Sequence, residues 1–193
     1  MKRRIAFALL FLYAVCFAAL AQALTPAQLT TLKADILADP VLAAQPNNSD
    51  GAFAIAAAYN LAAVPDFWVW RTAVTKEELV QSVSVDGTTF NWTGAGYITR
   101  SVGERDAWRE LFGDKGTCNP SLANVRQAFQ DIFSGGTNPA PANRTHLATV
   151  ARRKALRGEK LFAAGTGSTA SPAVMTVEGN LSYQDVQTAR ELP

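Results

Sequence analysis

Residues 119–177 read NPSLANVRQAFQDIFSGGTNPAPANRTHLATVARRKALRGEKLFAAGTGSTASPAVMTV. Apolar spacing from Pro120 to Phe133 predicts a helix that closes on the turn Ser134-Gly135-Gly136. A second, strongly basic helix is expected from Arg144 to about Leu161. It interleaves Arg144, Arg152, Arg153, Lys154, Arg157 and Lys160 with Leu147, Val150, Leu156 and Leu161. The glycine-rich loop Gly165-Thr166-Gly167-Ser168 follows, then the β-rich run Ala173–Val177.

Upstream, Thr25-Pro26 reads as an N-cap with proline in the first helical turn, and Leu29, Leu32, Ile36 and Leu37 share one helix face. Asp39-Pro40 ends that helix, because proline disfavours the helical region for the residue before it. Val41–Ala44 suits one more turn. Ser49 then caps an alanine-rich helix to Leu61, whose small side chains allow close helix approach. Phe67–Thr72 is short, rich in β-formers and strand-like. Thr75 with Glu78, Ser101 with Glu104 and Ser182 with Asp185 are three N-cap pairs, each able to satisfy two free amides at a helix start. Residues 83–99 read as a loop with partial strand. The sum is a single α+β domain, helix-majority, with about five helices and a small β-sheet or hairpin. The sheet is expected to pair Phe67–Thr72 with Ala173–Val177.

The N-terminus departs from this pattern. Lys2-Arg3-Arg4, the 16 apolar residues Ile5–Leu20 and Ala21-Gln22-Ala23 have the form of a cleaved export signal. The run is short for a membrane span, which needs about 20 apolar residues. Residues 1–23 are therefore expected to be a leader, or to precede a misassigned start, with 24–193 as the domain. Without Lys2, Arg3 and Arg4 the 18 basic residues become 15, against 16 acidic ones. That balance excludes a globally basic nucleic-acid-binding domain. The charge is unevenly placed: residues 24–143 carry 8 basic and 12 acidic groups, while 144–160 carry 6 basic groups against Glu159. Beyond the leader only Cys118 remains, which excludes an intrachain disulfide and a cysteine-cluster metal site.

No motif carries catalysis. His146 is the single histidine, has no evident nucleophile or orienting partner, and reads as a surface or capping residue. Gly165-Thr166-Gly167-Ser168 lacks the Gly-Lys-Ser/Thr ending and the strand–loop–helix setting of a phosphate loop. It reads as a flexible connection, adaptable enough to order against a neighbour. Phe67, Trp68 and Trp70 read as core. The basic run reads as a solvated face, or as a contact for an acidic surface such as nucleic acid, lipid headgroups or partner carboxylates. No enzyme, cofactor, metal or small-molecule substrate is expected.

Five stretches carry a resemblance that spans nearly all of residues 24–193. They are Leu24-Thr25-Pro26 with Ala34-Asp35-Ile36, Pro65–Val74, Asn119–Phe133, Glu159–Pro172 and Met175–Asp185. In these the chain resembles a family of small virion structural proteins of tailed bacteriophages and prophages. The resemblance implies a head–tail connector or tail-completion protein of the neck, a homo-oligomeric ring of around twelve subunits. Its implied partners are portal, neck or tail-tube proteins, with possible non-specific DNA contact. It also implies assembly in the host cytoplasm. The leader-like segment implies an alternative, an exported periplasmic or secreted binding or interaction protein. On the first reading, the basic residues 144–160 meet the acidic body of a neighbouring subunit or face DNA, and Gly165–Ser168 acts as an assembly loop.

Overall fold

The computed structural model describes residues 23–193. The leader expected at 1–23 lies, but for its last residue, outside the described residues. Helix starts follow the local capping chemistry closely. α1 (Pro26–Ala38) begins where the Thr25 hydroxyl accepts from the Gln28 amide and Gln28 returns the bond to the Thr25 amide. The three Ser/Thr–acid pairs open α4 (Lys76–Gln81), α5 (Val102–Glu110) and α9 (Tyr183–Glu191), each with both reciprocal bonds formed. Asp39 ends α1 and caps the single turn α2 (Pro40–Ala43), accepting from the Val41 and Leu42 amides.

Other boundaries shift by a few residues. Asn48, not Ser49, caps α3 (Ser49–Tyr59), its side chain accepting from the Gly51 amide. α6 (Ala123–Ile132) starts later than expected. The Asn119 side chain first takes the Ser121 amide and hydroxyl in a local turn, which delays the helix. Residues 82–101 form a loop holding one π turn, Gly94–Ile98, rather than a partial strand.

The main departure lies in the basic run. The helix there, α7 (Ala140–Val150), stops at Ala151, and Arg152–Lys154 form strand β4. A separate short helix, α8 (Arg157–Phe162), follows. β4 pairs antiparallel with β1 (Trp68–Trp70), in the register Trp68↔Lys154, Val69↔Arg153 and Trp70↔Arg152. β1 is the central strand of this small layer, so both its edges need partners. On one side β4 supplies them. On the other the chain near Ala173 runs parallel, the Ala173 amide donating to Trp68 O at 2.9 Å and the Trp70 amide to Ala173 O at 2.9 Å. The expected partner run thus reaches β1 only through this bridge. A second pairing joins β2 (Val74–Thr75) to β3 (Thr117–Cys118).

Two hydrophobic clusters flank this layer. In one, Leu32 and Ile36 of α1, Ile55 and Tyr59 of α3, and Val186 and Ala189 of α9 interlock. Ala52 and Ala56 let α3 approach closely, as its composition predicts. The other gathers α4 to α7 around the fully buried Trp108, with the rings of Phe112 and Phe133 at 4.9 and 5.3 Å. Val69, Ala155, Ala173 and Met175 fill the space between. The described residues form a helix-majority α+β fold. Nine α-helices stand among them rather than about five, with α2 only 4 residues long and α4 and α8 only 6.

Candidate functional site

The segment 144–168 lies across the β layer, and its basic side chains divide by what they hold. Arg153 faces the layer interior. Its Nη1 and Nη2 each donate at 2.7 Å to Glu159, whose side chain is 1% exposed. The Leu156 and Gly179 amides donate to the same carboxylate at 2.9 and 2.8 Å. Burial pushes the Glu159 carboxyl up. The Arg153 guanidinium and the two amides outweigh it and leave the group below its ordinary value. Arg153 also reaches Glu178 at 3.3 Å. Lys154 pairs with Asp66 at 2.7 Å and lies near the Trp68 ring. Arg157 pairs with Asp39 at 3.0 Å and Asp35 at 3.4 Å, stacked 4.8 Å from the Tyr59 ring. The Tyr59 hydroxyl donates to Asp35 at 2.5 Å. Burial, then that carboxylate, raises the phenol above its ordinary value.

The remaining three are less neutralised. Arg144 Nη1 donates only to backbone carbonyls, those of Phe133 and Gly135, and so ties α7 to the end of α6. Arg152 donates to Thr169 O and to Asp86 at 3.2 Å, with its guanidinium 5.2 Å from the Trp68 ring. Its Nε is buried and has no hydrogen-bond partner among the described residues. Lys160 sits 5.8 Å from the Phe67 ring. It makes no ion pair among the described residues. A uniformly solvated basic helix is therefore replaced by cations spread over α7, β4 and α8, most of them paired within the chain. Phe67, Trp68 and Trp70 are half-buried rather than full core: Lys160 lies over Phe67 and Arg152 and Lys154 over Trp68, while Trp70 carries Arg126 of α6.

The glycine-rich loop is fastened to the body. Gly167 O accepts from the Trp68 amide at 2.7 Å, extending β1's bonding. The Thr166 hydroxyl donates to Ser171 O, and the Ser168 hydroxyl accepts from the Ser171 amide. Gly167 sits at φ +64°, and a Cβ there would come within 2.2 Å of the Phe67 ring. Glycine is required by both conformation and space. The loop expected to be a flexible connection is thus bonded to the body at Gly167, while Gly165, Thr166 and Ser168 stay exposed. Gly165, at φ +126°, turns the chain into it.

His146 is the second departure: it is fully buried. Its Nε2 lies 2.9 Å from Leu79 O and must donate, since a carbonyl can only accept. Nδ1 is then the acceptor, taking the Thr88 hydroxyl at 3.2 Å, while Ser84 and Thr88 hydroxyls bond at 2.7 Å. Burial holds the imidazole below its ordinary pKa. The Asn143 side chain, one helical turn earlier, clamps the same loop through the Asn91 amide and Gly96 O. His146 and Asn143 thus hold the 82–101 loop against α7. The sequence signal for this was weak: one polar face of a helix with no charge on it. Cys118 is buried, and burial pushes its thiol up to about 11.

Two clefts border the segment. One, of about 660 Å³, combines Asp35, Arg157 and Lys160 with Ala58, Leu61 and Leu161. The other, of about 330 Å³, runs between α6, α7 and the end of the glycine-rich loop. It is lined by Trp70, Gln130, Arg144, Thr145, Arg152 and Thr169 among others, with no carboxylate. Arg126 of α6 lies 5.0 Å from the Trp70 ring and donates to Pro120 O and Ser121 O at 2.7 Å. Among the described residues no cluster of His, Cys, Asp or Glu could hold a metal, and no helix is long and apolar enough to cross a membrane. The chain matches no protein family, no curated protein and no solved structure.

Proposed function

We propose that this chain is a structural subunit that works by association, as a head–tail connector or tail-completion component of a tailed-phage particle. One observation supports association. The loop 82–101 and its exit expose Val83 (67%), Val85 (72%), Ile98 (63%) and Val102 (66%), with Trp92 at 43%. Long irregular loops in compact domains are usually functional, and exposed large apolar side chains mark contact surfaces. This loop is also held rigidly from beneath by His146 and Asn143, which lowers the cost of docking it. The interface therefore moves away from the basic segment, most of whose charge is consumed inside the chain. The particle assignment, the ring and the portal, neck or tail-tube partners rest on the resemblance of residues 24–185 alone.

Light scattering on the full chain tests association. A defined oligomer is expected, converted to monomer by Val85→Asp with Ile98→Asp at unchanged melting temperature. A monomeric wild-type chain would sink the reading. Mass spectrometry then separates the locations: peptides of this chain in purified particles support the virion component. Peptides confined to the periplasmic fraction support the exported binding protein, for which the 660 Å³ cleft is the favouring observation, since it is of ligand-pocket size.

A further inference from the structure

The 330 Å³ groove differs from the rest of the basic segment in its charge accounting. A guanidinium bonded to a neutral carbonyl has no counter-charge beside it, whereas one bonded to a carboxylate is neutralised by its partner. Among the described residues Arg144 and Arg126 hydrogen-bond only to backbone carbonyls. Arg152 faces one carboxylate, that of the half-exposed Asp86, and keeps its buried Nε unpartnered. Arg144 and Arg152, the two cations that line the groove, therefore share one counter-charge, and Arg126 lies just outside the lining, 5.0 Å from the Trp70 ring. Each is held in place by the bonds it already makes, so little side-chain freedom is left to lose on binding.

The other groups in the groove are neutral hydrogen-bonders. Thr145, Thr169 and Gln130 are exposed and offer hydroxyl and amide donors. Arginine, threonine and glutamine are the side chains that contact nucleic-acid phosphates. An indole beside them suits a base stacked next to its own phosphate. An acidic peptide would engage the cations and leave the ring unused. We propose that this groove binds the phosphodiester backbone of single-stranded nucleic acid, with Trp70 taking a base. The inference stands on the groove alone. A chain that stays monomeric yet binds an oligonucleotide loses the association reading and keeps this one.

The test is fluorescence anisotropy of a labelled oligothymidylate with the full chain over a salt series. Two phosphate contacts, one each from Arg144 and Arg152, predict a slope of about −1.4 in log K against log salt. Arg144→Gln should flatten it by about 0.7. Because Arg144 also ties two helices together, Thr145→Glu gives a second variant. Thr145 is exposed, so the substitution places a negative charge in the groove without breaking a fold contact. A loss of about tenfold or more is expected there. Lys115→Ala, on a remote exposed turn, should bind as the wild type does. Unchanged binding by Thr145→Glu overturns the proposal. So does tighter binding to duplex than to single strand, or binding to phosphatidylglycerol vesicles without binding to the oligonucleotide.

Discussion

Arg153 grips both carboxylate oxygens of Glu159, six residues further along the chain, at 2.7 Å each. The pair closes the turn from β4 into α8, and through the Gly179 amide it fixes the approach to α9. Glu159 also supplies half a capping box, since its carboxylate accepts from the Leu156 amide that opens α8. One acid thus decides where the basic run stops being strand and becomes helix again.

Removing one member leaves a buried charge without compensation. Arg153→Met is expected to cost about 3 kcal/mol in urea unfolding. Arg153→Met combined with Glu159→Leu should cost much less, because no isolated charge remains. Glu159 is held below its ordinary value of 4.5, so the unfolded chain takes up its proton first as pH falls. Its contribution is therefore present above about 4.5 and lost as pH drops through the folded value. Glu159→Gln should flatten that acid limb. An equally steep limb in the variant would show that the pair is not its source.

Arg152, Arg153 and Arg157 together anchor Asp86, Glu159, Asp35 and Asp39 within one chain. Replacing all three with glutamate is expected to unfold the protein rather than only to block association. Circular dichroism on heating decides this. A cooperative transition at the wild-type temperature would mean that the internal pairs are dispensable.

His146 sets a different acid window. Its pKa is depressed below 6.5 by burial, so the unfolded chain protonates first. Stability should be flat above about 6.5 and fall as pH drops from there to the folded value, because burial disfavours the charged imidazolium in the folded chain. His146→Gln keeps an amide donor for Leu79 O and should remove this slope, at some loss of packing. Two-dimensional NMR of the ring should show the Nε2-protonated tautomer at neutral pH. Finding the proton on Nδ1 would contradict the hydrogen-bond assignment.

Gly167→Ala combines a strained φ with a collision against Phe67. A loss on the order of 2 kcal/mol is expected from the backbone alone, and the ring adds to it. Phe67→Ala in the same chain should make the two effects less than additive, since it clears the space the methyl needs. Strict additivity in urea unfolding would place the cost elsewhere.

The sequence by itself determined four of the helix starts. Thr25, Thr75, Ser101 and Ser182 each act on residues within three positions, so the chemistry is complete before any tertiary contact forms. The break at Asp39-Pro40 was legible for the same reason, and so was the helix-majority α+β class. Only the tertiary structure decided residues 151–156. ARRKAL has no strong helix-breaker, and its propensity is worth tenths of a kcal/mol per residue. The central strand Trp68–Trp70 has two open edges, and satisfying them is worth more than extending α7. His146 was misplaced on the surface because its partners, Leu79 and Thr88, lie 67 and 58 residues away. The glycine-rich loop announced its positive φ angles through composition. Its seal against Phe67, about a hundred positions earlier in the chain, had no local signature. Contacts within a helical turn are written in the sequence as spacing; contacts across the fold depend on which surfaces meet, and that is settled only when the chain has closed on itself.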